Sequence, residues 1–320
     1  MPNPEVRVLD GGFSTQLATY VGDTIDGDPL WTARFLVTNP TAIISTHLDF
    51  LKAGADIILT NTYQVSIEGF SKYMNIPEAE SLDLICKAVG YARKAINLYK
   101  KSIENEANVA NRNPLIAGSV GPYGACLHDG SEYNGKYCSN LTEEILMDWH
   151  RPRVQKLIDS GVNILAIETI PCKQEAKALV KLLKEFPSSK AWISFSCCSD
   201  GKSIADGSNF QDVAMQCYRE ALPGQILAIG VNCIAPQNVT SLLKGINENC
   251  EELVPLVVYP NSGEKYTVEN GWMRTEEGYS LHQFVSEWLD LGVRYIGGCC
   301  RTNSADVKKI RAEVEKWENA

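Results

Sequence analysis

The chain has 320 residues, 11 cysteines and a formal net charge of -9 at neutral pH. That balance excludes the basic footprint needed for nucleic acid or an anionic membrane surface. No apolar run approaches the roughly 18 residues of a membrane span, so a soluble cytoplasmic protein with a small-molecule ligand is expected.

The N-terminus, from Met1 to Arg7, lacks the basic start and apolar stretch of a signal peptide. The cysteines are odd in number and scattered rather than densely spaced, so they are expected to be mostly reduced.

Eight short apolar runs follow one another along the chain, at residues 6–9, 56–60, 115–119, 164–167, 192–195, 226–231, 256–259 and 295–298. Helix signals lie between them, such as Asn39-Pro40-Thr41 before Ile43 and Thr142-Glu143-Glu144 before Ile145. Runs that are apolar throughout and alternate with helices indicate a parallel sheet covered on both faces. Eight such units in this length predict a single α/β domain over residues 1–320, a (β/α)8 TIM-type barrel. The glycine-spaced segment from Gly124 to Cys138 reads as a long loop after the third strand, of the kind that covers ligand.

In such a barrel, chemistry belongs at the C-terminal ends of the strands. The unusual residues fall there: Asp10-Gly11-Gly12, Thr60-Asn61-Thr62-Tyr63, Gly118-Ser119-Val120-Gly121-Pro122, Glu168-Thr169-Ile170-Pro171, Asn232-Cys233, Pro260-Asn261-Ser262-Gly263 and, after Gly297-Gly298, Cys299-Cys300. Cys233, Cys299 and Cys300 then converge. Three protein thiolates with a fourth position open is the layout of a catalytic zinc site, so one Zn2+ ion per chain is expected.

Adjacent cysteines point apart in a regular strand, and both reach one ion only if the strand breaks at Gly297-Gly298. Thr302 and Ser304 read as N-caps of the helix beyond. The competing reading is a plain buried cysteine pair. Cys197-Cys198 is a second adjacent pair, but it precedes an ordinary Ser-Asp-Gly turn.

Glu168 closes an apolar run, and a carboxylate there needs a partner, either a ligand ammonium or a structural group such as a lysine or a backbone N–H. Asp10 is either a turn residue or a second acid. The amides of Gly11 and Gly12 offer donors for a ligand carboxylate. Together these describe a pocket for an amino-acid zwitterion beside a thiolate-bound metal.

Asp10-Gly11-Gly12, Glu168-Thr169-Ile170-Pro171, Gly230-Val231-Asn232-Cys233, Tyr259-Pro260-Asn261-Ser262-Gly263 and Gly297-Gly298-Cys299-Cys300, five motifs in this order within a match from Asp10 to about Asn303, resemble the homocysteine S-methyltransferase family. That family includes betaine-homocysteine methyltransferase and the homocysteine module of cobalamin-dependent methionine synthase. The resemblance implies a zinc-dependent methyltransferase making methionine, with Cys233, Cys299 and Cys300 as ligands and catalytic groups. It places Asp10 and Glu168 on the homocysteine ammonium, and Asn261 beside the metal as an oxygen ligand in the absence of substrate.

Asp28-Pro29-Leu30-Trp31 resembles the branch that uses S-methylmethionine or S-adenosylmethionine, with Trp31 and Tyr63 facing the sulfonium. The chain also lacks the extension that supports oligomers of the betaine enzymes, so a monomer is expected. Betaine as donor and a zinc-binding or redox-sensing barrel without turnover are the alternatives.

Overall fold

The computed structural model describes residues 5–104, 112–248, 250, 252–267, 271–273 and 280–320. Residues 1–4, part of the N-terminal reading, lie outside them.

Among the described residues, eight parallel strands form one sheet. They are β1 (Arg7–Val8), β2 (Ile57–Leu59), β3 (Leu115–Val120), β4 (Ile164–Ile170), β5 (Ala191–Phe195), β6 (Ile226–Asn232), β7 (Leu256–Tyr259) and β10 (Val293–Ile296). An antiparallel hairpin of β8 (Lys265–Thr267) and β9 (Gly271–Met273) separates the last two. The order β1-β10-β7-β6-β5-β4-β3-β2 brings the two shortest strands, β1 and β2, to the seam.

There a single parallel bridge joins Leu9 to Ile57, and two aspartates complete the closure. Asp56 accepts from Val8 N at 2.9 Å and pairs with Arg311, while Asp10 accepts from Leu59 N at 2.8 Å. The expected barrel is thus present, with side chains rather than a full ladder holding its seam.

The period of two along each strand divides the core. Leu9, Ile57, Ala117, Ala166, Trp192 and Val257 belong to a separate cluster inside the barrel, while Val8, Ile58, Ile116, Leu165 and Ile193 pack under the helices. Trp192, fully buried, fills the interior because its neighbours at Ala117, Ala166 and Ala228 are small.

Helix signals are borne out at Asn39, whose side chain accepts from Ala42 N with Pro40 at the first turn, and at Thr142. Three differences stand out. β4 runs on to Ile170 and includes Glu168. The last helix, Ser304–Glu318, is capped by Asn303 in a capping box with Asp306, not by Thr302 or Ser304, because Thr302 is used elsewhere. Cys138 and Cys172 are disulfide-bonded, the exception among thiols expected to be mostly reduced, because the loop after β3 folds onto the turn after β4. The other nine cysteines are free.

Gly230 on β6 lies so close to β7 that an added Cβ would run into the carbonyl oxygen of Val257. Gly90, exposed on the helix Glu78–Ser102, meets nothing. Urea unfolding of Gly230→Ala is therefore expected to show a loss of about 3 kcal/mol, from forcing two strands apart. Gly90→Ala should gain about 0.5–1 kcal/mol from helix propensity. Equal stabilities for the two variants would contradict this packing.

Candidate active site

The cysteines converge because three strand ends leave extended geometry. Non-glycine residues with positive φ occur at Thr169 (62°), Cys233 (52°) and Arg301 (64°). Each such conformation costs on the order of 1 kcal/mol and persists only where its surroundings over-determine it. Asn232 supplies much of that constraint: its Oδ1 accepts from Thr169 N at 2.8 Å and from Ser194 Oγ at 2.8 Å, and its Nδ2 donates to Thr169 Oγ1 at 2.7 Å.

β10 stops at Ile296, and the chain then turns. Gly298 N donates to Asp10 O at 3.0 Å and Cys299 N to Pro260 O at 2.7 Å. A side chain at Gly298 would collide with Thr302, and one at Gly297 would come within 2.6 Å of Asp10 O. Thr302 Oγ1 donates to Cys299 O at 2.6 Å and accepts from Gly12 N at 3.0 Å, tying this turn to the loop after β1.

The result brings the three sulfurs within 4.8 Å of one another. Cys233 Sγ lies 3.4 Å from Cys300 Sγ, and Cys299 Sγ lies 3.9 Å from Cys300 Sγ. Sulfurs at about 2.3 Å from a tetrahedral zinc sit about 3.8 Å apart, so this donor set fits a metal of that kind. Hydrogen bonding from Cys299, then Cys300, holds the Cys233 thiol well below the usual range. The same contacts with Cys233 raise Cys299 and Cys300.

Two buried acids line the same cavity. Burial raises Asp10 well above the carboxylate range, against the hydrogen bond from Leu59, and the charge of Glu168 adds to it. Burial also pushes Glu168 up to about 7, although Ser119 Oγ donates to it and Tyr259 contributes a further hydrogen bond. Tyr259 OH is itself held by Trp192 Nε1 at 3.0 Å and Ser194 Oγ at 2.6 Å. Arg301, also on the cavity wall, is paired to Glu264 at 2.6 Å.

Trp31 and Tyr63 form an edge-to-face pair on the cavity wall, with ring centroids 6.1 Å apart. The Asp28-Pro29-Leu30 turn presents Trp31, since Asp28 accepts from Leu30 N at 2.8 Å and pairs with Arg34. Buried Arg153 donates to Tyr63 O at 3.1 Å and Gly121 O at 3.3 Å, clamping the loops after β2 and β3.

Other expectations come out differently. Gly11 lines the cavity, but the Gly12 amide is already bonded to Thr302. Asn261 is outside the cavity wall: its Oδ1 accepts from Gly263 N at 2.8 Å and its Nδ2 reaches Cys233 O at 3.5 Å. Cys197 and Cys198 bond to the carbonyls of Phe195 and Ile204, away from the cavity.

Ser119, Asn232 and Tyr259 stood in strand-end motifs without an assigned role, and Glu132 and Tyr133 were missed; all five are on the cavity wall. The long loop after β3 was expected to cover ligand, and it delivers the last two, flanked by Gly130 and Gly135 at positive φ.

The family model described as homocysteine S-methyltransferase matches residues 7–314. The chain is 48% identical over 317 residues to a betaine-homocysteine S-methyltransferase of Drosophila melanogaster, covering 97% of this chain and 94% of that one. It is 42% identical over 306 residues to a homocysteine S-methyltransferase of Bacillus subtilis, covering 95% and 93%. The crystal structure of the metallated form of the homocysteine methyltransferase MmuM from Escherichia coli aligns with a TM-score of 0.82 at 39% identity, covering 97% and 96%.

Thr302→Val removes a hydroxyl that serves Gly12 N and Cys299 O together. Gly12 N keeps its bond to Thr302 O and Cys299 O its bond from Thr302 N, so the loss of two further hydrogen bonds is expected to cost about 0.5–1.5 kcal/mol in thermal unfolding, with Thr302→Ser restoring most of it. Wild-type stability in the valine variant would show that the hydroxyl does not hold this turn.

Proposed function

The chain belongs to the homocysteine S-methyltransferase family and is a methyltransferase acting on homocysteine, and on that premise we propose how its own residues do so. Cys233, Cys299 and Cys300 hold one zinc ion, Asp10 and Glu168 bind the homocysteine ammonium, and a sulfonium, S-methylmethionine or S-adenosylmethionine, gives up the methyl group to form methionine. The observation that carries this reading is the three-thiol cluster opening into the same cavity as two buried carboxylates.

A zinc ion bound by three thiolates supplies a Lewis acid that keeps the homocysteine sulfur a thiolate near neutral pH. The protein does the rest by placement. Asp10 and Glu168, desolvated before substrate arrives, gain a cation when the amino acid enters and so fix its orientation. Gly11 lies on the cavity wall where the substrate carboxylate needs a donor. Asn261 holds the Cys233 backbone, a positioning role rather than that of an oxygen ligand. Trp31 and Tyr63 face the sulfonium, a cation–π contact worth roughly 0.5–2 kcal/mol. The homocysteine sulfur attacks the methyl group in line with the departing sulfur. A thiolate and a sulfonium become two neutral thioethers, a change favoured where water is excluded.

Charge also bears on the donor. The cavity wall carries Asp10, Asp23, Asp26, Glu132 and Glu168 against the already paired Arg301. S-methylmethionine and S-adenosylmethionine carry a net positive charge, whereas betaine carries none, so an acidic cavity favours the sulfoniums. The name of the Drosophila relative favours betaine as the second reading. Methionine formation with the three donors offered separately decides between them: a sulfonium preference supports the proposal, and turnover with betaine alone overturns the donor assignment.

Cys299→Ser is expected to lower zinc content and activity together; full zinc with normal turnover would sink the ligand assignment. Glu168→Gln should keep zinc and weaken homocysteine binding. The pH dependence has a definite sign. Glu168 is protonated below about 7 in the empty cavity, where it faces Asp10, Tyr63, Tyr259 and Cys233. Binding an ammonium there requires the carboxylate. Homocysteine affinity of the zinc-loaded protein rises with pH in any case as the substrate thiol gives up its proton; ionisation of Glu168 should add up to about tenfold per unit to that slope below about 7 and nothing above it. Calorimetry on Glu168→Gln should show a flatter profile; an unchanged one would assign the step to another group.

A further inference from the structure

Beyond Asp10 and Glu168 the cavity wall carries Asp23, Asp26 and Glu132, and of these three Glu132 has a buried carboxylate oxygen without a partner among the described residues. Glu132 sits in the short turn Ser131–Tyr133, inside the loop between β3 and the helix Glu143–Asp159. Its carboxylate lines the cavity, yet its Oε2 is buried with no hydrogen-bond partner among the described residues. Leaving a carboxylate oxygen in that state costs stability, and ordinary folding gives no reason to keep one. Burial, with the nearby charge of Cys233, pushes this group up to about 7 against a hydrogen bond from its own backbone N–H, and that proximity puts Glu132 on the thiol side of the cavity.

The turn is held in place from below. Fully buried Glu175 accepts from Tyr123 N at 2.7 Å, from Tyr137 OH, and lies 2.8 Å from His150 Nε2. Tyr137 and Cys138 follow Glu132 in the same loop, and the Cys138–Cys172 bond fixes the loop to the turn after β4. Gly124 packs so tightly on this turn that a side chain there would strike the Tyr137 ring and the Glu132 backbone. Glu132 is therefore preorganised, which is what recognition of a charged group requires.

We propose that Glu132 determines donor specificity: its carboxylate receives the α-ammonium of the methyl donor while the donor's sulfonium faces Trp31 and Tyr63. This deepens the sulfonium reading above and rests on it. A sulfonium has no N–H with which to satisfy a carboxylate oxygen, and the homocysteine ammonium already has Asp10 and Glu168. The chemical group left to match Glu132 is a second ammonium, and S-methylmethionine and S-adenosylmethionine each carry one a short chain away from the reacting sulfur. Betaine and dimethylsulfonioacetate offer only a carboxylate there, which Glu132 repels.

The test compares zinc-loaded wild type with Glu132→Gln, using S-methylmethionine and dimethylsulfonioacetate as donors. In the variant, the ratio of kcat/KM for S-methylmethionine to that for dimethylsulfonioacetate should fall by about tenfold or more, because a buried charge pair is lost for one donor only. Calorimetric affinity for homocysteine should stay at the wild-type level, which also reports an intact fold, and Glu132→Asp should recover part of the ratio. An unchanged ratio overturns the assignment, as does a loss of homocysteine affinity in the glutamine variant. Wild-type preference for betaine over either sulfonium overturns the donor reading itself and this inference with it. Sulfonium use by the wild type with an indifferent variant overturns the Glu132 assignment alone.

Discussion

Side chains of adjacent residues on an extended strand point to opposite faces, and the site depends on suspending that rule at one place. Cys299 and Cys300 share a centre because β10 ends at Ile296 and the two following glycines carry the chain through space that no side chain can occupy. Cys233 joins them from β6 by taking a left-handed conformation, and Thr169 does the same beside Glu168. The rim is thus a set of costly backbone conformations, held by Asn232, Thr302 and the hydrogen bonds between neighbouring strand ends. The cluster inside the barrel beneath, with Trp192 filling it, gives those bonds a fixed base.

Electrostatics adds a second cost. Asp10, Glu168 and Glu132 are desolvated around a cavity whose guanidinium, Arg301, is already paired, and burial is the first cause of the upward shift in all three. Such an arrangement is poor for stability and well suited to binding cations, since every ammonium or sulfonium that enters relieves a penalty already incurred in folding. Asp10 shows how closely the two purposes are joined. The same carboxylate that faces the cavity accepts from Leu59 N and helps close the barrel seam, so its substitution would disturb both.

The loop after β3 is the part of the molecule whose position depends most on distant residues. Glu175, on the helix after β4, gathers Tyr123, Tyr137 and His150, and the Cys138–Cys172 bond adds a covalent link. Arg153, from the helix between β3 and β4, clamps the backbone at Tyr63 and Gly121. None of these groups lines the cavity, yet together they set where Tyr63, Glu132 and Tyr133 stand.

The sequence by itself determined the strand–helix alternation, and so the barrel, because strands buried on both faces must be apolar throughout and that pattern is local. It also marked Asp10, Glu168, Cys233, Cys299 and Cys300, since a polar or thiol residue ending an apolar run is visible in the run itself. Only the tertiary structure decided the rest. Ser119 and Tyr259 sit within or at the end of apolar runs and look like strand residues until the barrel turns their hydroxyls toward Glu168. Asn261 and Gly12 look available until their polar groups are found bonded to Gly263 and Thr302. Glu132 lies in a loop with no periodicity, where position comes from partners far along the chain. Hydrophobic patterning is written residue by residue, but hydrogen-bond partners are shared between segments, so which polar group is left free for a ligand is decided only when the segments meet.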